Sequence, residues 1–174
     1  FPDTGLAMAP LYDEPFMAAV PSTHPLAARD SVSTVDLKNE TMLLLGTGHC
    51  FRDHVLEVCP EFARYASNAE GIRRTFEGSS LETIKHMVAA GMGVTLVPRL
   101  SVPPGALAPT PARRRKSDAF PHVRYLPIRD EDATAPPQRR VVLAWRRSFT
   151  RYEAIAALRN AIYACELPGV QRLS

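Results

Sequence analysis

The sequence predicts an α/β fold with a parallel sheet, and two observations carry this prediction. Residues 41–45 form a short apolar run that leads into a glycine-rich turn, which is typical of a buried parallel strand. Further along the chain, a strand, a capped helix and a second strand follow one another as in a βαβ unit. The 174 residues, of which 45% are hydrophobic and 22% charged, have an ordinary globular composition.

The other elements follow from periodicity and from turn residues. Further strands are predicted at 16–20, 72–76, 94–97, 123–126 and 140–145. Helices are predicted to begin near residue 33 and to run over 50–62, 80–90 and 150–164, with a Pro-rich linker at 102–111. Ser79 and Glu82 have capping-box spacing, which predicts Ser79 as the N-cap of the helix that stops at Gly91. Pro60 is expected to end or fray the helix before it.

Composition restricts the class of protein. The formal net charge of +3 at pH 7 is too small to indicate nucleic-acid contact, and the basic run 113–116 is predicted to be a solvated loop, with contact to a partner as the alternative. No apolar run approaches the roughly 20 residues of a membrane span. Because the chain opens on Phe1, we expect a fragment. The odd number of cysteines, three, argues against a secreted disulfide scaffold and indicates a reducing compartment, which we expect to be the cytoplasm.

Cys50 lies where a strand and a glycine turn lead into a predicted helix. The free amides and the dipole at a helix N-terminus stabilise an anion, and a thiolate is one. His49, Arg52 and His54 add donors or positive charge nearby, whereas Asp53 opposes them. Because a thiolate attacks peroxide and yields a sulfenic acid, a cysteine in this setting is typical of a redox sensor.

The spacing of Cys50 and Cys59 adds a geometric constraint. In an unbroken helix, nine residues separate them by roughly 13 Å along the axis and turn them to opposite faces. A disulfide requires Cα atoms within about 7 Å of each other. The pair therefore cannot be oxidised unless the segment between the two cysteines unwinds, which would make the disulfide a conformational switch.

The residues by themselves are also compatible with thiols that take no part in redox chemistry. Both thiols could be inert, with Cys59 on the apolar stripe of its helix simply a core residue. Cys50 could instead bind a metal with His49 and His54, although no CxxC or HxxxH motif accompanies them. Cys165, on the last predicted helix, is expected to be a core residue rather than a reactive one.

The segment Gly-His-Cys-Phe-Arg-Asp at 48–53, followed by Cys59, closely resembles the redox segment of the OxyR-type hydrogen-peroxide sensors. Residues 79–84, 87–91 and 94–98 resemble the effector-domain signature of LysR-type transcriptional regulators in general. Residues 11–16 resemble the crossover strand of that domain. The resemblance spans nearly the whole chain and is most specific at the cysteine segment.

The resemblance implies a fold like that of type II periplasmic binding proteins, with two α/β lobes joined by crossover strands. Residues 1–20 would be the end of lobe I and a crossover strand, and 21–100 the core of lobe II with the redox segment 48–60. Residues 101–122 would be a Pro-rich, basic loop, and 123–174 the returning crossover strand and the C-terminal helix of lobe I. The opening elements of lobe I are expected to be missing, so that lobe would be incomplete.

The resemblance also implies residue roles. Cys50 would be the peroxidatic thiol and Cys59 the resolving thiol. Three residues would orient the reactive site: His49, Arg52 and Asp53. Four others would line an effector pocket near the cleft: Thr47, Gly48, Ser80 and Thr83. Thr75 stands where some relatives have a histidine, and it is given no role. No cofactor and no metal are expected.

The function implied is a redox-switched, tetrameric transcription activator of the oxidative-stress response. Its partners would be hydrogen peroxide, further copies of the chain, RNA polymerase, cellular thiol reductants, and DNA bound through an N-terminal winged helix-turn-helix domain absent from this chain. The alternative is a LysR-type effector domain that binds a small organic anion between its lobes, with incidental cysteines. A thiol peroxidase is a third hypothesis, but no Ser-His-Asp spacing, P-loop or GxGxxG favours an enzyme.

Overall fold

The computed structural model describes residues 5–63, 75–103, 105–107 and 120–173. The chain forms two compact units, the smaller from Phe1–Pro15 with Gln138–Ser174 and the larger from Phe16–Pro137. The predicted α/β class is confirmed. The units divide the chain differently from the four predicted segments, because residues 16–20 and 123–137 belong to the larger unit.

The larger unit is built around β2 (Met42–Leu45), the buried parallel strand that the apolar run predicts. β2 pairs in parallel with β3 (Thr75–Gly78), and a parallel bridge from Met42 to Val94 joins it to the start of β4 (Thr95–Pro98). This close approach needs a glycine at position 93, where a Cβ would lie 2.4 Å from the Thr41 carbonyl oxygen.

A second sheet is built on the first strand of the described chain. β1 (Leu6–Pro21) pairs antiparallel with β4 through residues 16–19 and with β5 (Val123–Pro127) through residues 17–21. β1 is longer than the predicted strand at 16–20, because the chain stays extended through Pro10 and Pro15. The predicted strand at 72–76 is observed only from Thr75, because residues 72–74 lie outside the described part of the chain.

Within the described residues, the larger unit contains three complete α-helices, and residues 61–63 are also helical. α1 (Thr34–Leu37) begins at a reciprocal capping box between Ser33 and Asp36. α2 (Cys50–Val58) and α3 (Leu81–Ala89) each contain nine residues. α2 ends at Val58, with Cys59 as its C-cap directly before Pro60. The predicted effect of Pro60 is confirmed, and α2 is shorter than the predicted run 50–62.

The predicted cap of α3 is wrong by one residue. Ser80, not Ser79, is the N-cap, and its Oγ accepts a hydrogen bond from the Thr83 amide at 3.1 Å. Glu82 does not reach back to close a capping box but pairs with Lys85 at 3.2 Å. Two adjacent serines offer the same local chemistry, so the sequence alone does not distinguish them.

The core of the larger unit fills the space between its sheet and its helices. The two longer helices bury one apolar side each in the same core cluster as β2: Phe51 and Val55 from α2, Ile84 and Val88 from α3. The Thr95 hydroxyl, also buried, donates to the Leu43 carbonyl at 2.7 Å. Both helices are therefore anchored to one strand.

In its described residues, the smaller unit consists of a β ribbon and one helix. Residues 6–15 of β1 pair antiparallel with β6 (Gln138–Arg146), and β7 (Gln171–Arg172), which was not predicted, pairs with Tyr12 and Asp13. Arg140 bonds the buried Asp13 carboxylate at 2.8 and 2.9 Å, and this bond lowers the pKa of Asp13. α4 (Tyr152–Ala164) follows β6.

Cys165 contradicts its predicted place in the core. It is the C-cap of α4 and is exposed, and no residue of that helix is buried. Helical periodicity shows which side of a helix is apolar but not whether anything covers it. The basic run 113–116 and most of the linker at 102–111 lie outside the described residues. No described helix has the length and apolar character to cross a membrane.

Candidate functional site

Cys50 is the first residue of α2 and is exposed. The turn that delivers it follows β2 directly and contains Gly48 at φ +97°, a conformation that favours glycine. His49 is the N-cap residue, but its side chain makes no capping hydrogen bond. The thiol therefore lies at the end of α2 where backbone amides are unpaired by the helix, a setting that attracts anions.

Cys59 lies at the opposite end of the same helix and is completely buried. Burial raises the pKa of its thiol to about 12, and the Glu61 and Asp130 carboxylates act in the same direction. At neutral pH this thiol is protonated and is shielded from solvent. Cys50 and Cys59 thus differ in both access and chemistry.

The two thiols are free, so the structure is the dithiol form. Because α2 is continuous between them, the helical rise separates the two residues by roughly 13 Å along the axis. That distance exceeds the span of about 7 Å that a disulfide allows between Cα atoms. The expectation that the reduced pair lies apart is met by this geometry.

Arg52 is fixed by two hydrogen bonds. Its NH1 group donates to the Leu45 carbonyl at 2.9 Å and to the Glu77 carboxylate at 2.6 Å. Leu45 is the last residue of β2 and Glu77 belongs to β3, so Arg52 fastens the first turn of α2 to both strands. Sequence reasoning missed Glu77, which is 25 residues from Arg52 along the chain.

The other predicted residues around Cys50 differ in their surroundings. His49 and Asp53 are exposed. His54 is partly buried, with its ring centroid 6.4 Å from that of Phe16. Its Nδ1 atom is buried and has no hydrogen-bond partner among the described residues.

The predicted effector-pocket residues lie at one edge of the parallel β2–β3 pair. Thr47 and Gly48 follow β2, whereas Ser80 and Thr83 begin the helix after β3, and all four are exposed. The Gly46 amide donates to the Gly78 carbonyl at 3.1 Å, which joins the ends of the two strands. The hydroxyls of Ser80 and Thr83 hydrogen-bond to each other at 2.9 Å.

The metal alternative at Cys50 gains no geometric support. Within the described part of the chain, no group of three or more His, Cys, Asp or Glu side chains is placed to hold a metal ion. What the arrangement offers is one accessible thiol at a helix N-terminus and one buried thiol in the core. The two thiols differ in their access to solvent.

Comparison with known proteins agrees with this fold and site. The LysR substrate-binding domain family matches residues 1–164, and the chain belongs to this family. The DNA-binding transcriptional dual regulator OxyR of Escherichia coli K12 is 40% identical over 151 residues, which are 84% of this chain and 42% of that protein. A probable hydrogen peroxide-inducible genes activator of Streptomyces viridosporus is 33% identical over 162 residues, or 91% of this chain and 46% of that protein. The chain thus spans less than half the length of these relatives.

Solved structures give the same result. A reduced form of OxyR from N. meningitidis has 36% identity and a TM-score of 0.79, and the match covers 100% of this chain and 72% of that one. The reduced OxyR regulatory domain from Pseudomonas aeruginosa has 35% identity and a TM-score of 0.68, and the match covers 95% of this chain and 69% of that one. The resemblance to the OxyR-type regulators is therefore confirmed.

Proposed function

We propose that this chain is the peroxide-sensing regulatory domain of a LysR-type transcription activator. The observation that carries the proposal is the placement of two free thiols, one exposed and one buried, at opposite ends of α2. The similarity to OxyR of E. coli and to hydrogen peroxide-inducible genes activators supports it.

Cys50 is the thiol that reacts with peroxide. Its thiolate attacks one oxygen of hydrogen peroxide, the O–O bond breaks, and Cys50 becomes a sulfenic acid while hydroxide leaves. Cys59 cannot take this role in the folded dithiol form because it is buried and its pKa is about 12. His49, Arg52 and Asp53 surround Cys50 in sequence, and we assign them to orienting the reactive site.

Cys59 completes the reaction as the resolving thiol. Its sulfur attacks the sulfenic sulfur of Cys50, an S–S bond forms, and water leaves. Because α2 keeps the two residues apart, the helix must unwind and Cys59 must leave the core. The rearrangement would then change how subunits pack, and through them how the attached DNA-binding domains meet DNA.

The wider assignments belong to the same proposal. The full-length protein would bind DNA through a winged helix-turn-helix domain, assemble as a homotetramer, contact RNA polymerase and be reset by cellular thiol reductants in the cytoplasm. It would be a regulator rather than an enzyme. Thr47, Gly48, Ser80 and Thr83 would line the pocket at the edge of the β2–β3 pair. The organic-anion alternative gains nothing here, since Ser80 and Thr83 already bond to each other and the Ser80 hydroxyl caps α3.

The test is mass spectrometry of the chain after stoichiometric hydrogen peroxide. The parent should form a Cys50–Cys59 disulfide, Cys50→Ser should form none, and Cys59→Ser should accumulate a sulfenic acid at Cys50 that dimedone traps. Cys165→Ser is the matched control, because Cys165 is also exposed but lies at a helix C-terminus, and it should behave as the parent.

An unmodified Cys50 in the treated parent would overturn the proposal, as would oxidation of Cys165 at the same rate. Sustained peroxide consumption in the presence of a thiol reductant would favour the thiol peroxidase hypothesis. A sensor should instead consume about one equivalent and then stop until it is reduced.

A further inference from the structure

The Arg52 guanidinium, two residues after the reactive cysteine, binds the sheet. The contact set formed by Arg52 NH1, the Glu77 carboxylate and the Leu45 carbonyl is called the Arg52 latch here. The latch connects the first turn of α2 to the last residue of β2 and to β3. Both of its acceptors therefore belong to the parallel β2–β3 pair, and α2 lies between these two strands along the chain.

The exposures of Arg52 and Glu77 determine how much the latch contributes to stability. The Arg52 side chain is 12% exposed, so its charge is largely removed from water and depends on the partners it has. Glu77 is 50% exposed, so solvent screens part of the attraction and the contribution of the ion pair is modest. Glu77 is held in register because Leu44 pairs with it across the parallel β2–β3 ladder.

The latch is also incompatible with a large displacement of the first turn. Arg52 is two residues after Cys50, and it reaches the end of the very strand that delivers Cys50 into the helix. When Cys50 comes within disulfide range of Cys59, the backbone between them must leave its helical path. The contacts of Arg52 with Glu77 and Leu45 therefore belong to the dithiol form.

We propose that Glu77 is a positioning residue for the Cys50–Cys59 reaction: by holding Arg52 against the sheet, it stabilises the dithiol form and sets the thiol–disulfide equilibrium. This inference rests on the proposed function. Glu77 touches neither the peroxide nor either sulfur in this scheme and acts only through Arg52. Loss of the Glu77 carboxylate shifts the thiol–disulfide equilibrium toward the disulfide.

The equilibrium is measured against glutathione. Two electrons pass from the Cys50 and Cys59 thiols to glutathione disulfide, one protein S–S bond forms, the glutathione S–S bond breaks, and two molecules of reduced glutathione with their two protons are released. The chain carries Cys165→Ser to remove the third thiol. Samples equilibrated at graded ratios of glutathione to its disulfide are quenched in acid and alkylated. Mass spectrometry then measures the fractions of dithiol and disulfide.

Two variants and one control probe Glu77. Glu77→Ala should raise the equilibrium constant for disulfide formation by about threefold to tenfold. Glu77→Gln retains the shape and one weaker acceptor, so a smaller rise is expected. Glu82→Ala is the control, since it breaks an ion pair of similar exposure, with Lys85 on α3 at 3.2 Å, that does not touch α2.

A double-mutant cycle separates positioning from general destabilisation. If the latch acts as one unit, Glu77→Ala should have little further effect once Arg52→Ala is present. Additive effects would overturn the proposal, and so would a Glu77→Ala constant equal to that of the parent or to that of Glu82→Ala. If the parent itself forms no disulfide at any ratio, the proposed function fails instead, and the two failures are thus distinct.

Discussion

α2 and α3 are two helices of equal length in one unit, and they are built differently at both ends. Each has nine residues, and each follows one strand of the parallel β2–β3 pair. α3 begins with the Ser80 side chain capping the Thr83 amide, whereas His49 gives α2 no side-chain cap. A missing N-cap typically costs about 1 kcal/mol, so the first turn of α2 is the weaker one.

The C-terminal ends differ in the same sense. α3 closes with Gly91 at φ +79°, where the Met92 amide bonds the Met87 carbonyl and the Gly91 amide bonds the Val88 carbonyl. This is a Schellman motif, which pairs carbonyls that the helix leaves free. α2 instead ends at Cys59 with Pro60 next, and it has no glycine in the left-handed region.

The difference shows what keeps α2 folded. A helix of nine residues is marginal by itself, so α2 depends on its packing and on the Arg52 latch rather than on its caps. Such a helix can unfold when formation of a Cys50–Cys59 disulfide offsets the free energy lost on unfolding it. α3, capped at both ends beside the same strand, provides a fixed comparison.

Alkaline pH should weaken the end of α2 most strongly. The pKa of the buried Cys59 thiol is about 12, against an ordinary value of 9.0. Because the folded pKa is the higher one, the stability gained from the protonated thiol is complete below pH 9 and is lost progressively from pH 9 to 12, by about 1.4 kcal/mol per pH unit and roughly 4 kcal/mol in total. Urea unfolding of Cys50→Ser and of Cys50→Ser/Cys59→Ala between pH 8 and 10.5 measures this loss.

The double variant should lose less stability than the single variant as the pH rises above 9, since other titrating groups contribute equally to both. Parallel curves for the two variants would show that Cys59 ionises as readily in the folded chain as in the unfolded one.

A matched pair of core substitutions, one in each helix, should have different effects on the disulfide equilibrium. Val55 on α2 and Val88 on α3 are 2% and 0% exposed, and truncating either to Ala should cost about 2 kcal/mol in the free energy of unfolding of the dithiol form. Only Val55→Ala should also shift the glutathione equilibrium toward the disulfide, by up to about thirtyfold, because the proposed switch unwinds only α2. Equal shifts for both variants would contradict the idea that unwinding is confined to α2.

The smallest effect is expected at the cap of α3. Ser80→Ala should lower the free energy of unfolding by about 1 kcal/mol, whereas Ser79→Ala should be close to neutral. Thermal unfolding followed by circular dichroism measures both. The reverse order would restore Ser79 as the cap, and a change in the disulfide equilibrium with either variant would mean that α3 takes part in the switch.

Local patterns predicted much of this fold and of the site. The apolar run at β2, the glycine turn after it and Pro60 determine where α2 begins and ends, and all three are visible within twenty residues of sequence. The position of Cys50 at the helix start and the separation of the thiols follow from the same signals. The family resemblance, not periodicity, distinguished the roles of the two cysteines.

The remaining features depend on contacts between distant residues. Nothing local relates Arg52 to Glu77, because their meeting requires β3 to lie beside β2. Local sequence does not separate Ser79 from Ser80 as the cap, and the exposure of Cys165 depends on what covers α4. Sequence patterns identify elements and their apolar sides but not the partners of those sides.

The complete burial of Cys59 has a consequence for the range of doses that the proposed sensor can record. After Cys50 becomes a sulfenic acid, it must wait until a local opening of α2 releases Cys59. A second peroxide molecule can meanwhile oxidise the sulfenic acid to a sulfinic acid, which thiol reductants do not reverse. The opening rate of one short helix therefore sets an upper concentration of peroxide, above which the signal becomes permanent damage.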